Sequence, residues 1–466
     1  MMVRVCALRL FLAISLSMCA ITALSAPQLD ADAAQREAAQ FLRDLIRIDT
    51  QNPPGNETQV ARYVQAVLER NGIESEILEL LPGRGSIVAR LKGDGSKQPI
   101  LLLAHEDVVP VDKTRWTVDP LSGVEKDGII WGRGAWDDKG SIAANLEVML
   151  QLKRMKVPLR RDVIFLAEAS EEAHSDASMN GLVQRYWDKI GCEFALNEDG
   201  ESLIENGKIK YMGVGAMEKL PRRMRLVASG STGHASIPLD DNAVVHLAAA
   251  VERVGNWSTP PRLNAVTEEF FKRLAGIANP NEAAWYRNVL DPMVQEELRT
   301  KRPRYYSMSR TSVVPTMLQA GIKSNVIPST AEATLDIRML PDENMPAFRD
   351  ALATIIHDPA VRIVTESSFT ELPPPPTGLD TELFRALERA QVEVAPEAIT
   401  LPLMGTGATD SAVLRKRGVI AYGIDIPKTA DEMAAKHGND ERIQVAQLGV
   451  FVRYLFRAVT LVAATQ

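Results

Sequence analysis

Apolar residues along this chain follow two rhythms. Between Ala31 and Asn71 they recur at helical spacing, with Val60, Tyr63, Val64, Val67 and Leu68 on one face and Asn71-Gly72 as a stop. Two helices are predicted there, around the Pro53-Pro54-Gly55 turn. Short unbroken apolar runs at 87–91, 100–104, 163–167 and 194–196 read as buried strands. A helix after Asp137 places Ile142, Leu146, Met149 and Leu150 on one face. Apolar runs alternating with helices predict an α/β fold whose mainly parallel sheet is covered by helices.

The rhythm changes near Glu218. Strands are predicted at 223–228, 313–320, 331–339 and 362–365, with helices at 243–254 and 347–356. This β-α-β-β-α-β order is that of a smaller two-layer α+β unit. The segment 256–310, with helical stretches and no repeat, lies inside it, and the prolines of 373–376 form a stiff linker. From 380 onward α/β character resumes: a helix, a strand at 419–424, an irregular loop and a final helix. The expected division is a leader at 1–26, one α/β domain in two parts (27–217 and 369–466), and an inserted unit at 218–368.

A chain of 466 residues is too long for one ordinary core, which agrees with two domains. Its 45% hydrophobic and 24% charged residues exclude wholesale disorder. The formal charge of −7 argues against nucleic-acid binding, which needs a basic footprint. One stretch, 299–306, is basic with interleaved aromatics, and is read as a solvated loop or lid surface. Arg4 and Arg9 flank or interrupt an apolar run, 5–24, that ends in Ser25-Ala26. This is a secretory signal pattern; a transmembrane anchor is the alternative, and the shortness of the apolar stretch favours cleavage. Met18 before Cys19 disfavours a lipoprotein. Cleavage leaves a charge of −9 and a single cysteine, Cys192, so no internal disulfide forms and Cys192 is read as a small buried hydrophobe. The expected location is secreted or periplasmic, with no membrane attachment after cleavage.

The candidate chemistry lies in three strings that follow strand-like runs: His105-Glu106-Asp107, the stretch 131–140 around Asp137-Asp138, and Ser170-Glu171-Glu172. With His437-Gly438-Asn439-Asp440-Glu441 they read as a two-metal hydrolase site at the ends of neighbouring strands. Asp107 can hold one imidazole nitrogen of His105 while the other binds metal. Asp137, before a helix, is either a bridging ligand or an N-cap, a role Asp138 can take instead. Adjacent residues point apart, so Glu171 and Glu172 divide into a ligand and a general base, unless both are simply solvated acids. Glu198 offers another carboxylate, with Asp199 its rival. His174, His246 and His357 lack partnering motifs.

These motifs, over roughly 41 to the end, resemble the dinuclear zinc peptidase family of carboxypeptidase S, aminoacylase, succinyl-diaminopimelate desuccinylase and bacterial glutamate carboxypeptidase. The long 256–310 segment resembles the carboxypeptidase S-like branch. The resemblance implies two zinc ions, with cobalt or manganese as substitutes, bound by His105, Asp137, Glu172, Glu198 and His437. Asp137 would bridge them, and motif register favours Glu198 over Asp199. It implies Glu171 as general base and Asp107 as the residue orienting His105. The inserted unit would be a lid and dimerisation domain. Its His234, in Gly230-Ser231-Thr232-Gly233-His234-Ala235-Ser236, would reach a partner's site in a homodimer. Asn325 and Arg338 would hold the substrate carboxylate, and the loop 405–410, with Gly405 and Thr409, would line the pocket.

The expected reaction is hydrolysis of a small peptide at its C-terminal residue, or of an N-acyl amino acid. A zinc-activated water would attack, Glu171 would move its proton, and His234 would stabilise the oxyanion. Two other readings stay open: an amidase for carbamoyl-type C–N bonds, and a binding protein that has lost its chemistry. A retained base beside a full ligand set speaks against the second.

Overall fold

The computed structural model describes residues 29–173, 176–365 and 373–465. The expected leader and His174 lie outside the described residues. The first helix, Ala31–Ile46, starts where Asp30 accepts the Ala33 backbone N–H at 3.0 Å. It buries Ala34, Ala38, Phe41, Leu42 and Leu45, spaced three and four apart, and a second helix, Thr58–Arg70, follows.

The main sheet has four parallel strands at its centre, in the order Val163–Glu168, Ile100–His105, Phe194–Asn197 and Ile420–Gly423. Antiparallel neighbours extend it on both sides: Arg84–Leu91 and Ser75–Leu81 at one, Lys208–Glu218 and Leu203–Glu205 at the other. All six residues of Ile100–His105 are buried. Ile100, Leu102 and Ala104 join one core cluster, while Leu101 and Leu103 join another on the opposite face. That two-residue alternation between two covered faces is why the run is apolar throughout. Helices Ala31–Ile46, Lys139–Arg154, Glu382–Val394 and Val445–Ala463 cover the first face. Met179–Arg185 and Ser411–Lys416 contribute Met179, Leu182 and Leu414 to the second. Val445–Ala463 is long and apolar enough to cross a membrane, but Leu448, Phe451, Leu455, Val459 and Val462 are core residues here.

Two strands that the apolar pattern passes over, Lys208–Glu218 and Ile399–Gly405, pair in parallel. A Cβ on Gly213 would stand 1.7 Å from the Gly200 carbonyl oxygen, so this strand needs glycine where another backbone crosses it.

The chain leaves the main sheet at Lys219 and enters a four-stranded antiparallel sheet. Its order is Ser312–Ala320, Thr330–Met339, Leu220–Ser229, Val361–Thr365. Helices Ala243–Gly255 and Met345–Ile356 lend Leu247, Val254, Phe348 and Leu352 to a separate core with Leu226, Leu335 and Ile337. This is the expected β-α-β-β-α-β unit. The segment between its first helix and second strand packs elsewhere. Helices Ala265–Ile277, Pro280–Arg287, Pro292–Lys301 and Pro303–Met308 place Phe270, Phe271, Tyr286, Leu298 and Met308 in the main core, beside Leu401 and Leu403. The basic stretch 299–306 is engaged within the fold: Arg299 pairs with Glu296, Lys301 with Glu297, Arg302 with Glu282 and Arg304 with Glu201. Tyr305 stacks edge-on against Phe270, Phe271 and Tyr286.

Candidate active site

His105 closes its strand, Glu171 and Glu172 follow Val163–Glu168, and Glu198 follows Phe194–Asn197. The carboxyl ends of three adjacent parallel strands thus deliver four candidate residues to one edge of the sheet. Asp137 arrives from the turn before Lys139–Arg154, and His437 from the loop before Arg442–Gln444.

His105 Nε2 lies 3.2 Å from Asp137 Oδ1 and 4.0 Å from Glu198 Oε1. Asp137 Oδ2 lies 2.8 Å from His437 Nε2, which is 2.9 Å from Glu172 Oε1. Asp137 is therefore common to two ligand groups, one with His105 and Glu198, the other with Glu172 and His437. A third group joins His105, Glu171 and Glu172; within each, donor atoms lie within 4.8 Å of one another. Imidazole nitrogens and carboxylate oxygens so converged suit a pair of divalent ions of borderline softness.

Asp107 ties these strings together. His105 Nδ1 is 2.9 Å from the Asp107 carbonyl and 3.5 Å from its carboxylate. That carboxylate also accepts the backbone N–H groups of Glu171 and Glu172, at 3.0 and 3.2 Å, and the Asn52 amide at 2.7 Å. Burial would raise the Asp107 pKa, but His105 and Asn52 hold it below the usual carboxylate value.

The electrostatics are those of carboxylates crowded out of water. Burial pushes Glu171 well above the ordinary range, assisted by the charge of Glu198, and burial does the same to Glu198. Asp137 moves the other way: Lys436 and the two imidazoles outweigh burial and hold it well below. Hydrogen bonds to Asp137 and Glu172 push His437 up to about 10.

Glu198 and Asp199 separate clearly. Glu198 belongs to a ligand group, whereas Asp199 has φ +74° and turns its carboxylate towards Gly405 and the positive field of Arg304. Asp138 occupies the N-cap position but makes no side-chain cap hydrogen bond; its carboxylate accepts the His105 backbone N–H at 3.3 Å.

Three more residues support the centre: Glu441, which the sequence reading names only as part of its string, and Asp425 and Lys436, which it does not name. Glu441 is fully buried, lies 2.6 Å from Arg133 Nη1, and accepts the backbone N–H groups of Trp136 and Asp137 at 2.8 and 3.1 Å. Asp425 accepts the Trp136 indole N–H at 2.8 Å, fixing that ring against Lys428, 4.0 Å from its centroid. Lys436 lies 3.4 Å from Asp137 and 3.3 Å from Glu198. We expect Glu441→Ala to cost about 3–5 kcal/mol by leaving Arg133 buried and uncompensated. The denaturation midpoint measures this, and an unchanged midpoint would remove Glu441 from the support of Asp137.

The remaining sequence-derived residues lie apart from the ligand groups. His234 is exposed on a short ribbon pairing Gly233–His234 with Val326–Ile327, next to Asn325. Its Nδ1 is 2.8 Å from Ser236 Oγ, and the Asn325 carbonyl accepts the Ala235 N–H at 3.1 Å. Arg338 pairs with Asp336 at 2.8 Å. Gly405 and Thr409 brace the crossover between sheets: the Gly405 carbonyl accepts the Lys219 N–H, and Thr409 donates two hydrogen bonds to Glu218, itself 2.7 Å from Arg415.

Comparison with known proteins shows the family of the chain. Residues 101–461 match the model of peptidase family M20/M25/M40. The human N-fatty-acyl-amino acid synthase/hydrolase PM20D1 is 28% identical, covering 91% of this chain and 87% of the relative. The probable carboxypeptidase S-like 2 of Dictyostelium discoideum is 30% identical, covering 80% and 74%. Among solved structures, the M20 family metallo-carboxypeptidase Sso-CP2 from Sulfolobus solfataricus superposes with a TM-score of 0.71 at 18% identity, covering 91% of this chain and 99% of that one. The chain belongs to peptidase family M20/M25/M40.

Proposed function

We propose that this M20-family hydrolase is exported and cleaves the amide bond of N-acyl amino acids or of the C-terminal residue of short peptides, with two zinc ions. The observation that carries the reading is the position of Asp137 between two ligand groups, with Glu171 beside them in a third. The substrate class is supported by the relatives' names, one for N-fatty-acyl-amino acids and one for carboxypeptidase S. Export is supported by the apolar leader before Pro27.

His105, Asp137, Glu172, Glu198 and His437 would hold the metal pair, which supplies Lewis-acid polarisation of the scissile carbonyl and of the attacking water. Glu171 takes that water's proton on its carboxylate and delivers it to the departing amine nitrogen. Asp107 keeps His105 oriented. Arg338 and Asn325 grip the substrate's free carboxylate, with Gly405 and Thr409 along the pocket.

His234 would act in the site of a second copy of the chain, in a homodimer formed through the lid. The lid's free edge supports this: Val314, Met317 and Leu318 on Ser312–Ala320, Val245 on the adjoining helix and Ile322 in the following turn are exposed apolar side chains.

Metal analysis of the purified protein, with a screen of acyl-amino acids, dipeptides and carbamoyl-amino acids, tests the reading. About two metal ions per chain and turnover of the first or second class are expected. Turnover of carbamoyl substrates alone would transfer the activity to that bond, and a metal-loaded but inert protein would sink the proposal. Within the site, Glu198→Ala should empty one of the two metal positions while Asp199→Ala leaves both filled. The reverse result in metal analysis would give Asp199 the ligand role.

A further inference from the structure

Lys436 immediately precedes His437 in the chain, and its side chain reaches both the carboxylate that the two ligand groups share and one that belongs to the His105 group alone. Its Nζ is 3.4 Å from Asp137 Oδ2 and 3.3 Å from Glu198 Oε2. With His105 those carboxylates make up one ligand group; Asp137 also serves the other, its Oδ2 facing His437 at 2.8 Å, so the lysine pairs with both carboxylates of the first group and one of the second. An ammonium carries three donors and no acceptor, so it can satisfy carboxylate oxygens but cannot ligate a metal. A divalent ion drawing on the same two carboxylates would meet that charge at close range, where repulsion is strong in a partly desolvated site. Among the described residues no lysine or arginine pairs with Glu172.

The lysine also has somewhere to go. Its side chain is 32% exposed, and its ammonium lies 5.4 Å from the Trp136 ring centroid. The ring itself is anchored by Asp425 and faced by Lys428, so it offers the Lys436 ammonium a fixed aromatic face.

We infer that Lys436 is a built-in competitor for the metal ion of the His105–Asp137–Glu198 group. In the metal-poor protein its ammonium neutralises Asp137 and Glu198, and the ion binds there only as the lysine swings out. The two positions therefore load unequally, with the Asp137–Glu172–His437 group filling first. The inference rests on the two-metal reading above and adds that one metal position is weakened by the chain itself.

Calorimetric titration of chelator-stripped full-length protein with zinc tests it. The wild type should show two unequal affinities. Lys436→Met should tighten the weaker one by about tenfold or more, and Lys436→Arg should leave it weak. Thermal melting separates competition from ordinary packing. Without metal, Lys436→Met should melt below the wild type, since the acid cluster has lost its counter-ion. With excess zinc it should melt level with the wild type or above it. Unchanged affinities in Lys436→Met, or a melt lowered equally with and without zinc, would overturn the inference while leaving the two-metal reading intact. Failure of the wild type to bind zinc would overturn both.

Discussion

Glu171→Gln should retain its full metal content and lose about 10²–10⁴-fold in kcat. The substitution keeps the side chain's size, and the residue's backbone N–H still reaches Asp107. It removes only the ability to accept and return a proton. Glu172→Gln should behave differently, because Glu172 lies 2.9 Å from His437 in a group without Glu171, and metal should be lost along with activity. Two measurements on each variant decide the matter: metal per chain, and kcat on a substrate the wild type accepts. If Glu171→Gln loses metal and Glu172→Gln keeps it, the two glutamates have exchanged roles.

A mixture of two inactive proteins should regain activity. Glu171→Gln chains lack the proposed base, and His234→Ala chains lack the histidine proposed to act across the dimer. In a mixed dimer the site with an intact Glu171 faces a partner with an intact His234. Random exchange of equal amounts makes half the dimers mixed, so about a quarter of all sites should recover. The single chain motivates this directly: His234 is exposed and hydrogen-bonds within its own loop, not to any ligand group. Absence of recovery, in mixtures shown by native mass spectrometry to have exchanged subunits, would confine His234 to its own chain or to no catalytic role.

The central strands were legible because burial on both faces leaves an unbroken apolar run, as in Ile100–His105. Lys208–Glu218 was not, since Gly213 and Gly215 interrupt its apolar character where other backbone crosses it closely. Pro402 similarly masks Ile399–Gly405, which tolerates it by pairing on one side only. The four helices between Ala265 and Met308 include two with strong start signals. Asn279-Pro280 and Asp291-Pro292 each combine a capping side chain with a proline in the first turn. What no local pattern revealed was that these helices pack on the main core and not on the lid.

In the site, His105, Asp137, Glu171, Glu172, Glu198 and His437 come together in ligand groups, whereas His234, Asn325, Arg338, Gly405 and Thr409 belong to none of them. The support of the ligand groups was hidden for a different reason. Glu441 and Arg133 meet across 308 positions, and Trp136 meets Asp425 across 289, so neither pairing leaves any mark in spacing. Lys436 is next to a ligand but acts on residues from other strands, which adjacency alone cannot show. Sequence motifs announce groups that share a short stretch of chain; long-range charge neutralisation is settled only by the fold.

Asp107 sets a last consequence. By holding the His105 ring with its carbonyl and the Glu171 and Glu172 amides with its carboxylate, it fixes Glu171 at a set distance from His105. That spacing is gauged from the protein's own backbone and does not depend on the ions. On the proposed reading, exchanging zinc for cobalt or manganese would change the metal while Glu171 stays in register, which would make metal exchange in this chain a clean lever on one half of the reaction.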